Sequence, residues 1–133
     1  MGNAGHVDDP TISDAAELWR RISPKHFVLD ENRNLVRPSS AAFDDHPNGS
    51  PMSVFLADEV TQTGRGPLAV LANHHGFALA SITAGLARAC GQGVARDPLP
   101  HESAHGVVFG RKTDSVRRTL AMGSRLVVSP TMP

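Results

Sequence analysis

The chain has 133 residues, 40% of them hydrophobic, and its 13 basic and 13 acidic side chains cancel to a formal charge of zero. That length fits one domain, and the 12 glycines and 10 prolines follow no period, which excludes a collagen-like or repeat architecture. The longest apolar runs, AVLA at 69–72 and LVV at 126–128, fall far short of the roughly 18 residues that a membrane span needs, so no membrane association is expected.

The first residues, MGNAGHVDDP, have neither the basic flank nor the apolar stretch of a secretory signal, and a lone Cys90 leaves no internal disulfide to form. A cytoplasmic, reducing location is the expectation. Residues 1–10 are small, polar and acidic without periodicity, and are predicted to be a disordered head. A first helix is predicted from the caps Thr11 or Ser13, carrying Ala16, Leu18, Trp19 and Ile22 towards the core and ending at Ser23-Pro24. The segments 26–29 (HFVL) and 34–37 (NLVR) flank the polar turn 30–33 and read as a hairpin. Residues 44–50, DDHPNGS, read as an exposed loop.

Ser50-Pro51 resembles a helix opening, with Met52, Phe55, Leu56 and Val60 on one face and Gly64 and Gly66-Pro67 as the stop. Residues 68–73 and 77–83 look extended around the turn Asn73-His74-His75-Gly76, whereas 84–90 suit one or two helical turns. A short strand is expected at 94–96, and Asp97-Pro98-Leu99-Pro100 must leave the sheet because proline donates no ladder hydrogen bond. The clearest strand is 106–110. After it Thr113 caps a helix with Asp114 at its positive end and Val116 and Leu120 inward, closed by Gly123, and 126–128 forms a last strand. The expected fold is therefore α+β, one domain over residues 11–130 with a mixed or largely antiparallel sheet and about three helices packed on it.

The zero net charge conceals a division, −5 over residues 1–60 and +5 over 61–133. The basic cluster Arg111, Lys112, Arg117, Arg118 and Arg125 admits nucleic acid as a partner. That partner is not favoured, because no aromatic residues interleave with the bases, and a solvated face balancing the acidic half accounts for them. Mononucleotide-loop, zinc-finger and Gly-x-Ser-x-Gly patterns are all missing, and nothing calls for a cofactor. His101 and His105 stand four apart and His74 and His75 are adjacent, but the former pair runs into a strand and the latter points its rings apart, so no metal is expected.

Three readings single out polar residues. Arg37 at a strand end, followed by Ser39 and Ser40, assembles donors for a phosphate or carboxylate. Asp97 and His105 bracket a proline-stiffened loop in which a carboxylate can orient an imidazole for proton transfer, although no nucleophile is marked beside them. His74 sits on a turn. Loops held by a sheet are where binding residues collect, so Arg37, Ser39, Ser40, His74, Asp97 and His105 are expected to converge on one polar pocket. Its occupant would be an anionic small molecule or a charged segment of a protein partner. The alternative is an enzyme acting on a phosphorylated or nucleotide substrate, on a loose analogy with ADP-ribosyl-transfer folds for which the needed Glu is not marked.

The segments Arg37 to Phe43 (RPSSAAF), Met52-Ser53-Val54, His74 with Gly76-Phe77, Asp97 to Pro100 (DPLP), Ala104-His105 and Gly110-Arg111-Lys112-Thr113, in that order, resemble a group of short uncharacterised bacterial proteins. The likeness spans about residues 18–128 of this chain. It implies a domain of that extent and a bacterial setting, and it implies no reaction type. His101 lies outside the shared pattern.

Overall fold

Strand β1 (Glu17–Ile22) is the centre of the molecule, and its sequence ELWRRI explains both its position and the difficulty of reading it. In a strand, successive side chains take opposite faces. Leu18 and Ile22 accordingly enter one core and Trp19 enters another, all three buried. A strand covered on both faces loses the apolar/polar alternation that announces one, and three apolar residues at positions 18, 19 and 22 also fit a helical stripe. The predicted first helix is therefore corrected to a strand. Its expected caps make local turns instead: Asp9 Oδ1 accepts from Thr11 N, and Ser13 Oγ accepts from Ala15 N.

The computed structural model describes residues 5–33 and 35–130. Among them β1 pairs with β4 (Met52–Leu56) on one side and β5 (Ala78–Thr83) on the other. With β6 (Gly93–Arg96), β7 (His105–Phe109) and β8 (Arg125–Val128) they form a six-stranded sheet in the order β6-β7-β4-β1-β5-β8, every pair antiparallel. A separate hairpin joins β2 (Phe27–Asp30) to β3 (Leu35–Pro38), as the sequence predicts. The protein is thus a single α+β domain with an antiparallel sheet.

Four helices cover the sheet among the described residues. On one face α3 (Ala84–Ala89) and α4 (Asp114–Gly123) pack Ala84, Ala87, Leu120 and Ala121 against Leu18, Ile22, Met52, Val54 and Phe43. Thr113 caps α4 by accepting from Val116 N at 3.2 Å, the predicted arrangement. On the other face α1 (Ala57–Gln62) and α2 (Pro67–Val70) bring Ala57, Val60 and Val70 onto Trp19, Phe55 and Leu79.

Two further expectations need correction. The helix predicted from Ser50-Pro51 begins only at Ala57. Met52, Val54 and Leu56 alternate into the first core while Phe55 enters the second, so this is another two-sided strand that mimics a helical stripe. The stretch predicted to be extended over 68–73 starts as α2, because Pro67 occupies the first helical position behind Gly66 and needs no amide donor there. It then turns through Asn73 (φ 65°) and Gly76 (φ 79°), left-handed conformations that asparagine and glycine tolerate best.

Within the predicted head, residues 1–4 lie outside the described residues. Asp8 and Asp9, in contrast, dock along the edge strand β6: Asp9 N donates to Val94 O at 2.8 Å and Val94 N donates to Asp8 Oδ1 at 2.9 Å. Arg88 pairs with Asp8 and Asp14, and Arg96 pairs with Asp9 and Glu59. A polar strap therefore anchors this segment, and no apolar periodicity would reveal it. No helix among the described residues is long and apolar enough to cross a membrane.

Candidate functional site

Beyond Trp19 and Phe55, β1 and β4 have no further paired residues. The guanidinium of Arg20 occupies the divergence. Its Nε donates to Ala42 O at 3.0 Å, Nη1 to Ser53 O at 2.8 Å and Nη2 to Asp44 O at 3.3 Å. Burial lowers its pKa to about 10, against the opposing pull of the Asp45 and Asp44 carboxylates, so the group remains charged at neutral pH.

Arg21, on the opposite face of the same strand, lies 4.6 Å over the ring of Phe55 and donates from Nε to Val70 O at 2.7 Å. No other hydrogen-bond partner and no ion pair holds it among the described residues. Burial lowers its pKa and the Glu102 carboxylate opposes that. Glu102 is itself engaged by Arg65 through two hydrogen bonds, at 2.6 and 2.7 Å, and these hold its pKa below the ordinary value.

Both arginines line a cleft of about 480 Å³. Five of the seven histidines in the chain line it too: His26, His46, His74, His101 and His105. Ser53, Phe55, Phe77 and Glu102 add further polar and aromatic groups to its wall. The loops before β7 and β5 supply His101 and His74, whereas β7 itself supplies His105. Despite the number of imidazoles, no group of three or more His, Cys, Asp or Glu is placed to hold a metal ion among the described residues.

At the inner end of the cleft lies a chain of hydrogen bonds. His105 is buried, with Nδ1 2.8 Å from Asp97 O and 3.3 Å from Asp97 Oδ2. Its Nε2 stands 3.1 Å from Ser53 Oγ, and His46 Nε2 lies 3.3 Å from the same oxygen. The directions follow from the one fixed acceptor. A carbonyl cannot donate, so His105 Nδ1 carries a proton, and in the neutral imidazole Nε2 is then an acceptor. In that form Ser53 Oγ–H donates to His105, and the Ser53 oxygen can accept from the Nε2–H tautomer of His46.

The six residues expected to converge divide into two groups. His74 and His105 line the cleft, and Asp97 lies just behind His105 in an adjoining cavity of about 450 Å³ that shares His46, Ser53, Leu99 and His105 with it. Arg37, Ser39 and Ser40 do not line the cleft. Arg37 opposes Val28 in the hairpin, and its Nε donates to Asp30 Oδ2 at 3.2 Å, two residues along the neighbouring strand. It borders a different cavity with Met122 and Arg125. The strand-end arginine therefore finds its anion within its own hairpin. Ser39 N donates to His26 O, and Ser39 is followed by a single 3-10 turn at Ser40–Ala42.

Arg20, Arg21 and Ser53 escape the sequence reading for one reason. On the predicted helix Arg20 and Arg21 fall on the solvent side, away from positions 18, 19 and 22. On a central strand, adjacent arginines must each enter a face of the sheet, and that pair of charges inside an apolar segment is the signal that marks them. In the basic cluster Lys112 pairs with Asp45, Arg117 with Asp44 and Asp114, and Arg125 with Glu17.

Comparison of the chain with protein-family models, with curated proteins and with solved structures finds no match to any of them.

Proposed function

We propose that the protein binds a small anionic molecule, a carboxylate or phosphate, in the cleft beside β1, with Arg21 as the residue that meets its charge. One observation carries this reading: among the described residues Arg21 donates a hydrogen bond only from Nε, its guanidinium lies over the Phe55 ring, and it lines a concave, histidine-rich site. Planar guanidinium groups recognise carboxylate and phosphate through paired N–H donors. Arg20 adds a second positive charge, held by three backbone oxygens and drawn on by Asp45 and Asp44, while the one acid in the wall, Glu102, is occupied by Arg65. A volume of about 480 Å³ falls in the range of small-molecule pockets, which favours a metabolite-sized ligand over a protein segment. Nucleic acid fits less well, since three of the five residues in the basic cluster are engaged by acids.

The test is calorimetric titration with inorganic phosphate and with sulfate at neutral pH. Saturable binding is expected in the unaltered protein and in Arg118→Gln, which removes an exposed base elsewhere, and is expected to vanish in Arg21→Gln. Binding that survives Arg21→Gln, or a lack of binding in the unaltered protein, overturns the reading.

A further inference from the structure

We infer that Ser53, His105 and Asp97 form a nucleophilic relay that makes the cleft an acyl-transfer site for carboxylic esters. The geometry supplies the nucleophile, the base and the orienting residue of such a relay. The nucleophile and its base are 3.1 Å apart, the base is held on its far nitrogen by Asp97 through both a carbonyl and a carboxylate oxygen, and the nucleophile borders the open cleft. Such relays are recognised by geometry and roles, so the lack of a Gly-x-Ser-x-Gly turn does not bear on it. The neutral Nδ1–H form of His105 is the productive one, with Nε2 bearing the lone pair and facing the Ser53 hydroxyl.

The surroundings supply what the serine itself lacks. Ser53 lies within β4, opposite Val107, so no strained turn presents it. Two groups position it: Arg20 holds its backbone oxygen, and His46 Nε2 lies 3.3 Å from its side-chain oxygen. In the reaction Ser53 Oγ attacks the ester carbonyl carbon while His105 Nε2 takes the hydroxyl proton. The carbonyl π bond opens to an oxyanion beside the nucleophile, where the Nε2–H tautomer of His46, 3.3 Å from Ser53 Oγ, offers a donor in the same cluster of side chains. The oxyanion collapses, the carbon–oxygen bond to the alcohol breaks, and the alcohol departs with the proton from His105. Water then attacks the acyl-serine, giving its proton to His105, and the acid leaves as Ser53 regains the proton. Ser53, His105 and His46 are the groups that meet substrate, and Asp97 is a positioning residue. For a natural substrate the relay rests on the anion-binding reading in one respect only: Arg21 selects esters that carry a second, negatively charged group.

The test uses probes without that group, so that the two readings fail separately. The full chain is treated with a fluorophosphonate, whose fluoride leaves as the serine oxygen bonds phosphorus, and the modified peptide is located by mass spectrometry. In parallel, hydrolysis of p-nitrophenyl acetate is followed. Modification at Ser53 is expected, and it is lost in Ser53→Ala and His105→Gln. Hydrolysis by each of those variants falls by about 100-fold or more, within the range that general-base assistance provides. Asp97→Asn lowers the turnover number and leaves the KM for the ester unchanged, a division that general loosening of the fold would not produce. Ser53→Cys restores a nucleophile and accumulates a thioester, which guards against a variant that fails merely because it is misfolded. Absence of label at Ser53 together with hydrolysis that is unchanged in Ser53→Ala overturns the relay. Phosphate titration on the same Ser53→Ala protein reports on anion binding independently.

Discussion

Replacing Arg20 with methionine tests whether this guanidinium holds β1, β4 and the 40–44 segment together. The side chain donates to three backbone oxygens, those of Ala42, Asp44 and Ser53. Leaving a buried acceptor without its donor costs about 1–3 kcal/mol. The contact with Asp44 is the longest, at 3.3 Å, and Asp44 is half-buried, so water can replace it there. Counting only Ala42 and Ser53 gives a loss of about 2–6 kcal/mol. Methionine also removes a charge whose burial is unfavourable, and apolar replacements of fully paired ions are sometimes neutral. Here the acceptors stay behind when the cation goes, which is the costly way to break such a contact. Since 1 kcal/mol shifts the midpoint of a domain near this size by roughly 4 °C, a drop on the order of 8–24 °C is expected by circular dichroism. Arg20→Lys, which retains the charge and a shorter set of donors, should fall between the two. A melting temperature for Arg20→Met equal to or above that of the unaltered protein would show that the carbonyls find other donors, and that Arg20 is not a clamp.

Two further outcomes follow from the core and from the pH behaviour of the cleft wall. Leu120→Ala empties a fully buried position between α4 and the sheet and should cost roughly 2–5 kcal/mol in urea unfolding; no change would detach α4 from the core. Glu102, whose pKa is lowered chiefly by its hydrogen bonds to Arg65, contributes stability that is complete above the ordinary value near 4.5 and is lost as the pH falls through its lower folded-state value. Thermal melts between pH 7 and pH 3 should therefore show a shallower acid decline in Glu102→Gln than in the unaltered protein, and identical slopes would contradict that assignment.

What the sequence discloses depends on how many faces an element buries. The hairpin β2–β3, the strand β7, the Thr113-capped α4 and the departure of 97–100 from the sheet all carry local chemistry that survives without tertiary context: turn residues, a cap, prolines. The strands β1 and β4 carry none. Each is central, each places apolar residues on both faces, and each has a spacing that suits a helix equally well. That single ambiguity propagates into the site. Treating 17–22 as a helix sends Arg20 and Arg21 to solvent, and treating 52–56 as a helix leaves Ser53 without a direction. His74, Asp97 and His105 flank turns and strand ends, positions that local sequence marks, and the structure sets them at the cleft or just behind it. Arg37 lies apart from the cleft, and its carboxylate partner, Asp30, is a cross-strand neighbour that only the hairpin register brings into reach.

The same register explains why binding and chemistry share one place. Antiparallel pairing sets Ser53 opposite Val107 and Phe55 opposite His105, so the side chains of Ser53 and His105 emerge on one face of the sheet, diagonal to each other. On β1 the residue that shares this face is Arg21, and the residue that reaches through the divergence of β1 from β4 is Arg20. Full pairing of β1 with β4 would engage the oxygen of Ser53 in the ladder and take it from the Arg20 guanidinium. The divergence thus creates the need for a buried cation, and the cation in turn fixes the strand that carries the hydroxyl. Arg20→Met is accordingly expected to abolish Ser53 labelling at temperatures where the protein remains folded, because the oxygen it releases anchors the nucleophile to within 3.1 Å of His105. Retention of full labelling by a folded Arg20→Met protein would separate the clamp from the relay.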